Sequence, residues 1–271
     1  MGIDRYAVIG HHISYSRSPR IHQMFAEQCG HRLEYGLIDV APAQFAATAR
    51  AFLEGGGRGL NVTVPYKQAA MVLASELSER AQRAGALNTL AVREPGVIGD
   101  NTDGAGLVRD LGVNLGIALR GARILMLGAG GAARGIVAPL LACAPAALVI
   151  CNRNAARAQQ FAGEFADLGP VRAEAGGGEP YDLIINATTA SAAAELPAMP
   201  AQCVGPKTVC YDLVYRDSAT AFVQWALSQG AARAVMGMGM LVEQAAESFL
   251  IWRGVRPDTR PVLAALGASP D

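Results

Sequence analysis

The spacing of small residues in the segment 128–133 (GAGGAA) could hold the pyrophosphate of a dinucleotide. Gly128, Gly130 and Ala133 match the G-x-G-x-x-G/A pattern. The first glycine permits a tight turn, the second lets the backbone approach a phosphate, and the alanine keeps the following helix close to the sheet. Because an apolar strand precedes the turn and a helix follows it, the amides at the helix start can bind the anion. The pattern therefore predicts an oxidoreductase that binds a nicotinamide dinucleotide.

The residues that end the next predicted strand indicate which dinucleotide is bound. In NAD sites this strand usually ends with a carboxylate that holds the ribose 2′-hydroxyl. Here residues 152–154 are Asn-Arg-Asn, and Arg157 follows one helical turn later. Since a guanidinium suits a 2′-phosphate dianion, the sequence favours NADP over NAD. In the alternative interpretation, Arg153 is a solvated loop arginine and Asn154 only caps the helix.

Polar fragments in the first half of the chain supply hydroxyls, amides, a lysine and a carboxylate. Ser16 and Ser18 lie two residues apart just before a predicted helix. Lys67 ends the string NVTVPYK, Asn88 begins N-T, and Asp103 lies in N-T-D-G. Each fragment alone also has an ordinary explanation. Ser18 would then be a helix cap, Lys67 an exposed lysine at a helix start, and Asp103 part of a turn.

The composition argues against several classes of partner. Of the 271 residues, 51% are hydrophobic and 17% are charged, which suffices for a sizeable core. Lys plus Arg equals Asp plus Glu at 23 each, so the charge balance favours neither nucleic acid nor an anionic membrane. The sequence has no run of 18 uncharged apolar residues and no apolar signal core near its start. We therefore expect a cytoplasmic protein without a membrane span.

The cysteines and histidines give no metal-binding pattern. The five cysteines are scattered and form no C-x-x-C pair. His11 and His12 are adjacent, so on an extended segment their side chains would point to opposite faces. We expect reduced, mostly buried thiols and no metal.

Alternating strand and helix patterns predict an α/β fold with a mostly parallel sheet covered on both faces. Strands are expected at residues 5–10, 35–40, 60–64, 89–93, 97–99, 124–127, 147–151, 181–186 and 208–214. Helices are expected at residues 21–29, 42–53, 66–83, 155–166, 218–229 and 240–252, and from the glycine turn to residue 141. Residues 100–104 are expected to form a loop. The last predicted helix has no strand after it, so it is expected to pack elsewhere.

In their order along the chain, these fragments resemble the shikimate dehydrogenase family over the whole length. The matching strings are S-x-S-P from Ser16, N-V-T-V-P-Y-K from Asn61, N-T from Asn88, N-T-D-G from Asn101, G-A-G-G-A from Gly128, N-R from Asn152, N-A-T from Asn186, Y-D-L-V-Y from Tyr211 and G-M-L-V-x-Q from Gly239. The strings N-V-T-V-P-x-K and G-M-L-V-x-Q are the most specific of them.

The resemblance implies a two-domain α/β enzyme. Residues 1–102 and 237–271 would form an α/β substrate-binding and catalytic domain, to which the C-terminal helix returns. Residues 103–236 would form a Rossmann-like doubly wound domain for NADP. The active site would lie in the cleft between the domains, where ligand pockets commonly form.

The resemblance also implies the reaction and its residues. The reaction would be reversible reduction of 3-dehydroshikimate to shikimate with NADPH, a step of chorismate and aromatic amino acid biosynthesis. Lys67 would be the general acid, and the base in reverse, with Asp103 beside it holding a substrate hydroxyl. The other implied substrate contacts are Ser16, Ser18 and Tyr215 at the carboxylate, and Thr63, Asn88 and Gln244 at the ring hydroxyls. The implied cofactor contacts are Gly128, Ala129, Gly130, Gly131, Ala132, Asn152, Arg153, Asn154, Arg157 and Thr188, with Gly237 and Met240 near the nicotinamide.

The chain departs from the family pattern at Ser191, where glycine is common, and at Met236, where aspartate is frequent. Two alternatives to the implied activity stay open. One is a quinate/shikimate dehydrogenase that uses NAD, against which Arg153 argues. The other is a ligand-binding regulatory relative without catalysis, against which Lys67 and Asp103 argue. The sequence leaves a homodimer open.

Overall fold

A computed structural model describes residues 2–174 and 178–268 of the chain and divides it into two compact units. The first unit runs to Leu107 and resumes at Leu241, and the second unit is Val108–Met240. Each unit contains one six-stranded sheet. The predicted α/β class is confirmed, and the C-terminal helix returns to the first unit. Residues 1, 175–177 and 269–271, which the predicted domains include, lie outside the described residues.

Nine α-helices follow the chain through the described residues. They are α1 Ser18–Cys29, α2 Phe45–Glu54, α3 Glu79–Ala84, α4 Asp103–Arg109, α5 Gly131–Ala142, α6 Ala155–Gly163, α7 Ala221–Ser228, α8 Met238–Arg253 and α9 Arg260–Ala265. The boundaries between the units fall inside α4 and α8. Within the described part of the chain, none of the helices is both long enough and apolar enough to cross a bilayer.

The sheet of the first unit is mixed. Its strands are β1 Asp4–Gly10, β2 Leu33–Asp39, β3 Gly57–Val62, β4 Glu76–Leu77, β5 Thr89–Arg93 and β6 Gly96–Asp100. Their order is β2-β1-β3-β5-β6-β4. Strands β2 and β3 both run parallel to β1, whereas β5 runs antiparallel to β3. The loops that follow β1, β2 and β3 therefore begin at the same edge of the sheet.

Helix α8 covers part of this sheet. Phe249 is fully buried, and the indole Nε1 of Trp252 donates a hydrogen bond to the Leu90 carbonyl at 2.9 Å. A Cβ on Gly59 would overlap the indole ring, so the missing side chain on β3 makes room for the tryptophan. Phe249 and Trp252 belong to one core cluster with Phe25 of α1. This packing fixes α8 over strands that lead to the candidate site.

The sheet of the second unit is entirely parallel among the strands described. Its strands are β7 Arg123–Leu127, β8 Ala147–Cys151, β9 Val171–Ala173, β10 Leu183–Asn186, β11 Val209–Asp212 and β12 Arg233–Met236. Their order is β12-β11-β10-β7-β8-β9. The winding reverses between β7 and β10, and ligands of such sheets bind at this reversal. The residues that follow β7 and β10 are therefore the candidates for a dinucleotide site.

The prediction of a single helix over residues 66–83 is wrong. A short 3-10 helix, Ala69–Leu73, is followed by strand β4 and then by α3. The Ser75 hydroxyl donates to the Val97 carbonyl at 3.0 Å and accepts from the Val97 amide at 2.9 Å. The Ser78 hydroxyl caps α3. Serine side chains that bond to the backbone in this way compete with a continuous helix.

Other boundaries also differ from the prediction. The expected loop 100–104 is wrong at its end, because Asp103 is the first residue of α4. Strand β3 ends at Val62, two residues before its predicted end. The short elements β9, β12 and α9 were not expected. They have too few residues to show a hydrophobic period.

Candidate functional site

An ion pair between Lys67 and Asp103 is the central feature of the first unit. The Lys67 Nζ lies 2.5 Å from Asp103 Oδ2, and the two side chains are 14% and 5% exposed. Lys67 lies in the loop after β3, not at the start of a helix. The interpretation of Lys67 as an exposed helix-start lysine is therefore wrong. A protonated amine held beside a carboxylate with little water around it can deliver a proton to a bound substrate.

The loop that carries Lys67 is held at both ends. The Thr63 amide donates to the Ile9 carbonyl at 3.0 Å, which extends the pairing of β3 with β1. The Leu87 amide donates to the Lys67 carbonyl at 2.9 Å. Between these points the Tyr66 ring stacks on Phe45 with centroids 4.2 Å apart, and the Tyr66 hydroxyl donates to a backbone carbonyl. The lysine thus extends from a backbone that is anchored in the core.

The Asp103 carboxylate is oriented by donors on both oxygens. Lys67 donates to Oδ2, and the Asn88 amide nitrogen donates to Oδ1 at 2.9 Å. The Asp103 backbone amide donates to Asn101 Oδ1 at 3.1 Å, which fixes the start of α4. Asn101 in turn donates to the Ala86 carbonyl at 2.9 Å. The turn interpretation of Asp103 is thus incomplete, because its carboxylate is engaged by Lys67 and Asn88.

Asn88 and Gln244 complete the group around the ion pair. The Asn88 Oδ1 accepts from the Thr102 amide at 2.8 Å, so its Nδ2 must face Asp103. The same Nδ2 lies 3.1 Å from Gln244 Oε1. A Cβ on Gly106 would lie 2.6 Å from the Gln244 Cβ, so α4 and α8 touch at this point. The structure therefore brings together four of the predicted site residues.

Ser16, Ser18 and Thr63 lie near the same edge of the sheet. Thr63 follows β3, and a Cβ on Gly10, the last residue of β1, would lie 2.6 Å from the Thr63 methyl. Ser16 and Ser18 follow β1, with the Ser18 amide donating to the Ser16 hydroxyl at 3.3 Å. The interpretation of Ser18 as a helix cap is wrong, because Arg17 occupies the cap position of α1. Ser16 and Ser18 thus follow β1 and Thr63 follows β3, two parallel strands that end at one edge of the sheet.

The glycine turn of the second unit fits a dinucleotide. Gly128 has φ of +105°, and a Cβ there would lie 3.0 Å from the Thr188 methyl and 3.1 Å from the Ala187 carbonyl oxygen. Gly130 is the N-cap of α5 and has no side-chain cap bond. A Cβ on Gly130 would meet no atom within 4 Å, so the start of α5 at Gly131 and Ala132 is approachable. Amides at the start of a twelve-residue helix are suitable donors for a pyrophosphate.

The residues after β8 have mixed roles. The Asn154 side chain accepts from the Arg157 amide at 3.0 Å and caps α6, so the capping interpretation of Asn154 is correct. Asn152 donates to the Asn154 carbonyl at 3.1 Å. The Arg157 Nε donates to the Ala129 carbonyl at 3.1 Å, which ties α6 to the glycine turn. The Arg153 side chain is exposed beside them and is the donor suited to a 2′-phosphate.

Two buried residues near Met240, Tyr211 and Asp110, were not among the predicted site residues. The Tyr211 hydroxyl donates to Asp110 Oδ2 at 2.6 Å and accepts from the Met240 amide at 3.2 Å. Burial raises the pKa of Tyr211 well above its usual value, and the neighbouring Asp110 carboxylate raises it further. A Cβ on Gly239 would overlap the Asp110 carboxylate. Asp110 lies outside every recognised string. The sequence feature that could have pointed to it is Gly239, whose missing side chain leaves room for the Asp110 carboxylate.

The remaining predicted cofactor contacts lie at strand ends of the second unit. A Cβ on Gly237 would lie 2.7 Å from the Leu213 carbonyl oxygen. The Thr188 hydroxyl donates to Asn186 Oδ1 at 2.7 Å. Asn186 donates to Ser191 at 3.0 Å, so the hydroxyl found where glycine is common holds this loop. Thr188 thus follows β10 and Gly237 follows β12, at the strand ends where a dinucleotide is expected to bind.

Tyr215 belongs to a different unit from the other predicted substrate contacts. It follows β11 in the second unit, whereas the other substrate contacts belong to the first. Its predicted contact with the substrate carboxylate stays a prediction. In the described ranges no group of three or more His, Cys, Asp or Glu side chains could hold a metal ion, and all five cysteines are free thiols.

Three family models match successive parts of the chain. The shikimate dehydrogenase substrate binding domain matches residues 8–90. The shikimate/quinate 5-dehydrogenase model matches residues 112–205, and the shikimate 5′-dehydrogenase C-terminal domain matches residues 237–266. The matches follow the same order as the recognised strings.

Individual relatives are similar over nearly the full length. Shikimate dehydrogenase (NADP(+)) of Methylococcus capsulatus is 55% identical over 269 residues, which is 98% of this chain and 96% of the relative. The crystal structure of an Ael1 enzyme from Pseudomonas putida has a TM-score of 0.90 and 44% identity, covering 99% of this chain and 100% of that chain. Shikimate 5-dehydrogenase from Thermus thermophilus, crystallised with NADP(H) and shikimate, has a TM-score of 0.83 and 31% identity, covering 95% and 96%.

Proposed function

The chain belongs to the shikimate dehydrogenase family, and we propose that Lys67 and Asp103 carry the NADP-dependent, reversible reduction of 3-dehydroshikimate to shikimate. The observation that supports these roles best is the Lys67–Asp103 ion pair at 2.5 Å, shielded from water and flanked by Asn88 and Gln244. It combines a proton donor with groups that can orient hydroxyls. These are the two requirements of carbonyl reduction on a hydroxylated ring.

The chain's residues handle the proton of this reaction. Bound NADPH supplies the hydride that the carbonyl carbon receives. The Lys67 ammonium donates a proton to the carbonyl oxygen, which becomes the hydroxyl of the product. In the reverse direction the neutral amine accepts that proton. Asp103 holds the lysine side chain in place and accepts a hydrogen bond from a substrate hydroxyl.

Substrate recognition divides between the carboxylate and the ring hydroxyls. Ser16 and Ser18 offer hydroxyl donors to the substrate carboxylate, joined by Tyr215. Thr63, Asn88 and Gln244 orient the ring hydroxyls. One Gln244 Nε2 hydrogen is used by the Leu241 carbonyl at 2.8 Å, which leaves the second available to the substrate.

The second unit would hold NADP. The amides of residues 128–132, which are Gly128, Ala129, Gly130, Gly131 and Ala132, would bind the pyrophosphate. Arg153 and Arg157 would bind the 2′-phosphate, with Asn152 and Asn154 shaping the loop that presents them. Thr188, Gly237 and Met240 would contact the nicotinamide side. The absence of a carboxylate after β8 supports NADP over NAD.

The activity is tested by following NADPH absorbance while the purified chain oxidises shikimate with NADP⁺. Parallel assays use NAD⁺ in place of NADP⁺ and quinate in place of shikimate. We expect the highest kcat/KM with shikimate and NADP⁺. A preference for quinate and NAD⁺ would contradict the proposed cofactor and substrate. Binding of shikimate without turnover would instead support a regulatory relative.

A cytoplasmic location and a homodimer remain predictions from the sequence. Cell fractionation tests the location. Light scattering on the eluate of a size-exclusion column tests the number of chains.

A further inference from the structure

Ser248 of α8 lies at a junction of buried hydrogen bonds in the first unit. Its side chain is fully buried. The hydroxyl accepts from Asn61 Nδ2 at 3.0 Å and lies 2.8 Å from Thr89 Oγ1 and 3.3 Å from Thr102 Oγ1. It also donates to the Gln244 carbonyl at 3.1 Å. Four polar groups from β3, β5, the loop before α4, and α8 itself thus meet at one oxygen.

The position of Ser248 in a helix explains only one of these contacts. Serine in a helix commonly donates to the carbonyl four residues earlier, and the bond to Gln244 is of this kind. The other three partners belong to separate parts of the chain. A buried polar network is stable only when its members are satisfied, so the four groups must keep their relative positions. Ser248 therefore adds a shared contact to elements that also bond to one another directly, as Asn61 Nδ2 does to Thr89 Oγ1 at 3.2 Å.

The partners of Ser248 also contact Asn88. The Thr89 Oγ1 also lies 2.9 Å from Asn88 Oδ1, so its single hydrogen faces two acceptors, this oxygen and Ser248 Oγ. The Thr102 hydroxyl accepts from Asn88 Nδ2 at 2.8 Å and lies 3.3 Å from Gln244 Oε1. Both ends of the Asn88 amide are therefore oriented by hydroxyls that touch Ser248. The orientation of this amide decides which atom it presents to Asp103 and to a substrate hydroxyl.

On the side away from Asn88, the hydrogen bonds of Ser248 continue through Asn61 into the core. Asn61 Oδ1 accepts from the Tyr35 hydroxyl at 2.7 Å, and Tyr35 stacks on His22 with centroids 4.2 Å apart. The Asn61 amide thus has a fixed orientation, with its Nδ2 toward Ser248. Asn61 thus fixes the position of Ser248 from the core. On the opposite side, Ser248 connects to Asn88 and Gln244.

We propose that Ser248 is a positioning residue for the reaction. It acts through Thr89 and Thr102 on the Asn88 amide and through α8 on Gln244. This inference rests on the proposed function, since it assigns Asn88 and Gln244 to the shikimate ring. Ser248 itself touches neither the substrate nor the cofactor in this role.

The main test is the kinetics of Ser248→Ala. We expect kcat/KM for shikimate to fall about tenfold, the scale of one lost buried hydrogen bond, while KM for NADP⁺ stays within about twofold. The matched control is Thr208→Val in the second unit. Thr208 is equally buried, and its hydroxyl donates to the Tyr181 carbonyl at 2.6 Å and accepts from the Gly205 amide at 2.9 Å. The control should lower the melting temperature without changing shikimate kinetics.

A double-mutant cycle separates positioning from general stability. Ser248→Ala is combined with Gln244→Ala, and the two losses in kcat/KM for shikimate should be less than additive, because Ser248 acts partly through Gln244. Additive losses would contradict the proposal. Ser248→Cys, which keeps a similar volume but bonds weakly, should give an intermediate loss and is the variant to use if the alanine protein does not fold.

Two outcomes are distinguishable. Wild-type protein that does not oxidise shikimate contradicts the proposed function. Active wild-type protein with unchanged shikimate kinetics in both Ser248 variants overturns the positioning role alone.

Discussion

The ion pair between Lys67 and Asp103 joins residues that are 36 positions apart in the chain. Its geometry comes from two anchored loops, one after β3 and one before α4. Asn88 engages the second carboxylate oxygen of Asp103, so the acid cannot rotate without losing a bond. At the scale of the residue, the geometry of the site depends on whether each of its polar atoms has a hydrogen-bond partner.

Loss of the Lys67 side chain should slow proton transfer while leaving substrate binding largely intact. We expect Lys67→Ala to lower kcat about 10²-fold or more, the scale of general acid–base catalysis, with little change in shikimate affinity. Steady-state kinetics and calorimetric titration with shikimate measure the two effects. Lys207→Ala, which removes the chain's only other lysine from an exposed position, should retain wild-type turnover. Undiminished turnover in Lys67→Ala would refute its role.

Arg153 should determine the choice of cofactor. We expect Arg153→Ala to raise KM for NADP⁺ about tenfold or more, because one charge-assisted bond to the 2′-phosphate is lost, while KM for NAD⁺ changes little. The control is Arg172→Ala, which removes another exposed arginine of the same unit. Equal shifts with both cofactors would show that Arg153 does not contact the phosphate.

At the scale of elements, close helix contact sets the position of Gln244. Gly106 of α4 lies against the Gln244 backbone, and Gly59 of β3 lies under Trp252 at the other end of α8. Helix α8 is therefore held at two points where a neighbour has no side chain. The first of these contacts places Gln244 against α4, the helix that begins at Asp103.

A methyl group at position 106 should push the two helices apart. We expect Gly106→Ala to destabilise the protein by about 1–3 kcal/mol, as overpacking does, and to raise KM for shikimate. Gly112→Ala is the matched control, because a Cβ there would meet no atom within 4 Å. It should leave kinetics unchanged and hold or slightly raise stability. Thermal unfolding and steady-state kinetics test both variants, and equal behaviour of the two would contradict the close contact.

Sequence patterns predicted best the elements whose structure depends least on contacts with distant parts of the chain. The apolar run 147–151 predicted β8 with its observed bounds, and the glycine spacing predicted the turn after β7. The helix expected at 66–83 failed because Ser75 and Ser78 bond to the backbone in ways that residue type alone does not reveal. Recognised strings gave the candidate site residues. They could not give Ser248, whose partners come from four parts of the chain.

At the scale of the whole molecule, each unit has hydrophobic clusters of its own. Phe249 belongs to a cluster of the first unit and Phe222 to one of the second. Each unit also contains one of the two tryptophans, Trp252 and Trp225. Fluorescence of a variant that keeps one tryptophan can therefore follow one unit, which matters because a chain with two cores need not unfold in one step.

Acid should weaken the first unit through His22. Burial, opposed in part by the Asn61 amide, lowers the pKa of His22 to about 3. The unfolded chain binds the proton near pH 6.5 and the folded chain does not, so stability is full above about pH 6.5 and is lost as pH falls toward the folded value. The slope reaches about 1.4 kcal/mol per pH unit. Urea unfolding of a Trp225→Phe protein at a series of pH values measures it.

Replacement of His22 by phenylalanine should reduce this slope, because the ring would stay stacked on Tyr35 without a titrating group. Other groups still contribute to the pH dependence, so the comparison is between the two proteins at each pH. The same slope in His22→Phe and the parent protein would rule out His22 as the source.

The return of α8 to the first unit has a consequence for synthesis on the ribosome. Strands β1 to β6 are complete by residue 100, but Phe249 and Trp252, which cover their face, are made only after the whole second unit. The first unit must therefore wait on the ribosome, with apolar surface uncovered, while the second unit is translated. A ribosome that stops between residues 240 and 249 releases a chain with a finished second unit and an unfinished first one. Full-length translation is thus a condition for activity.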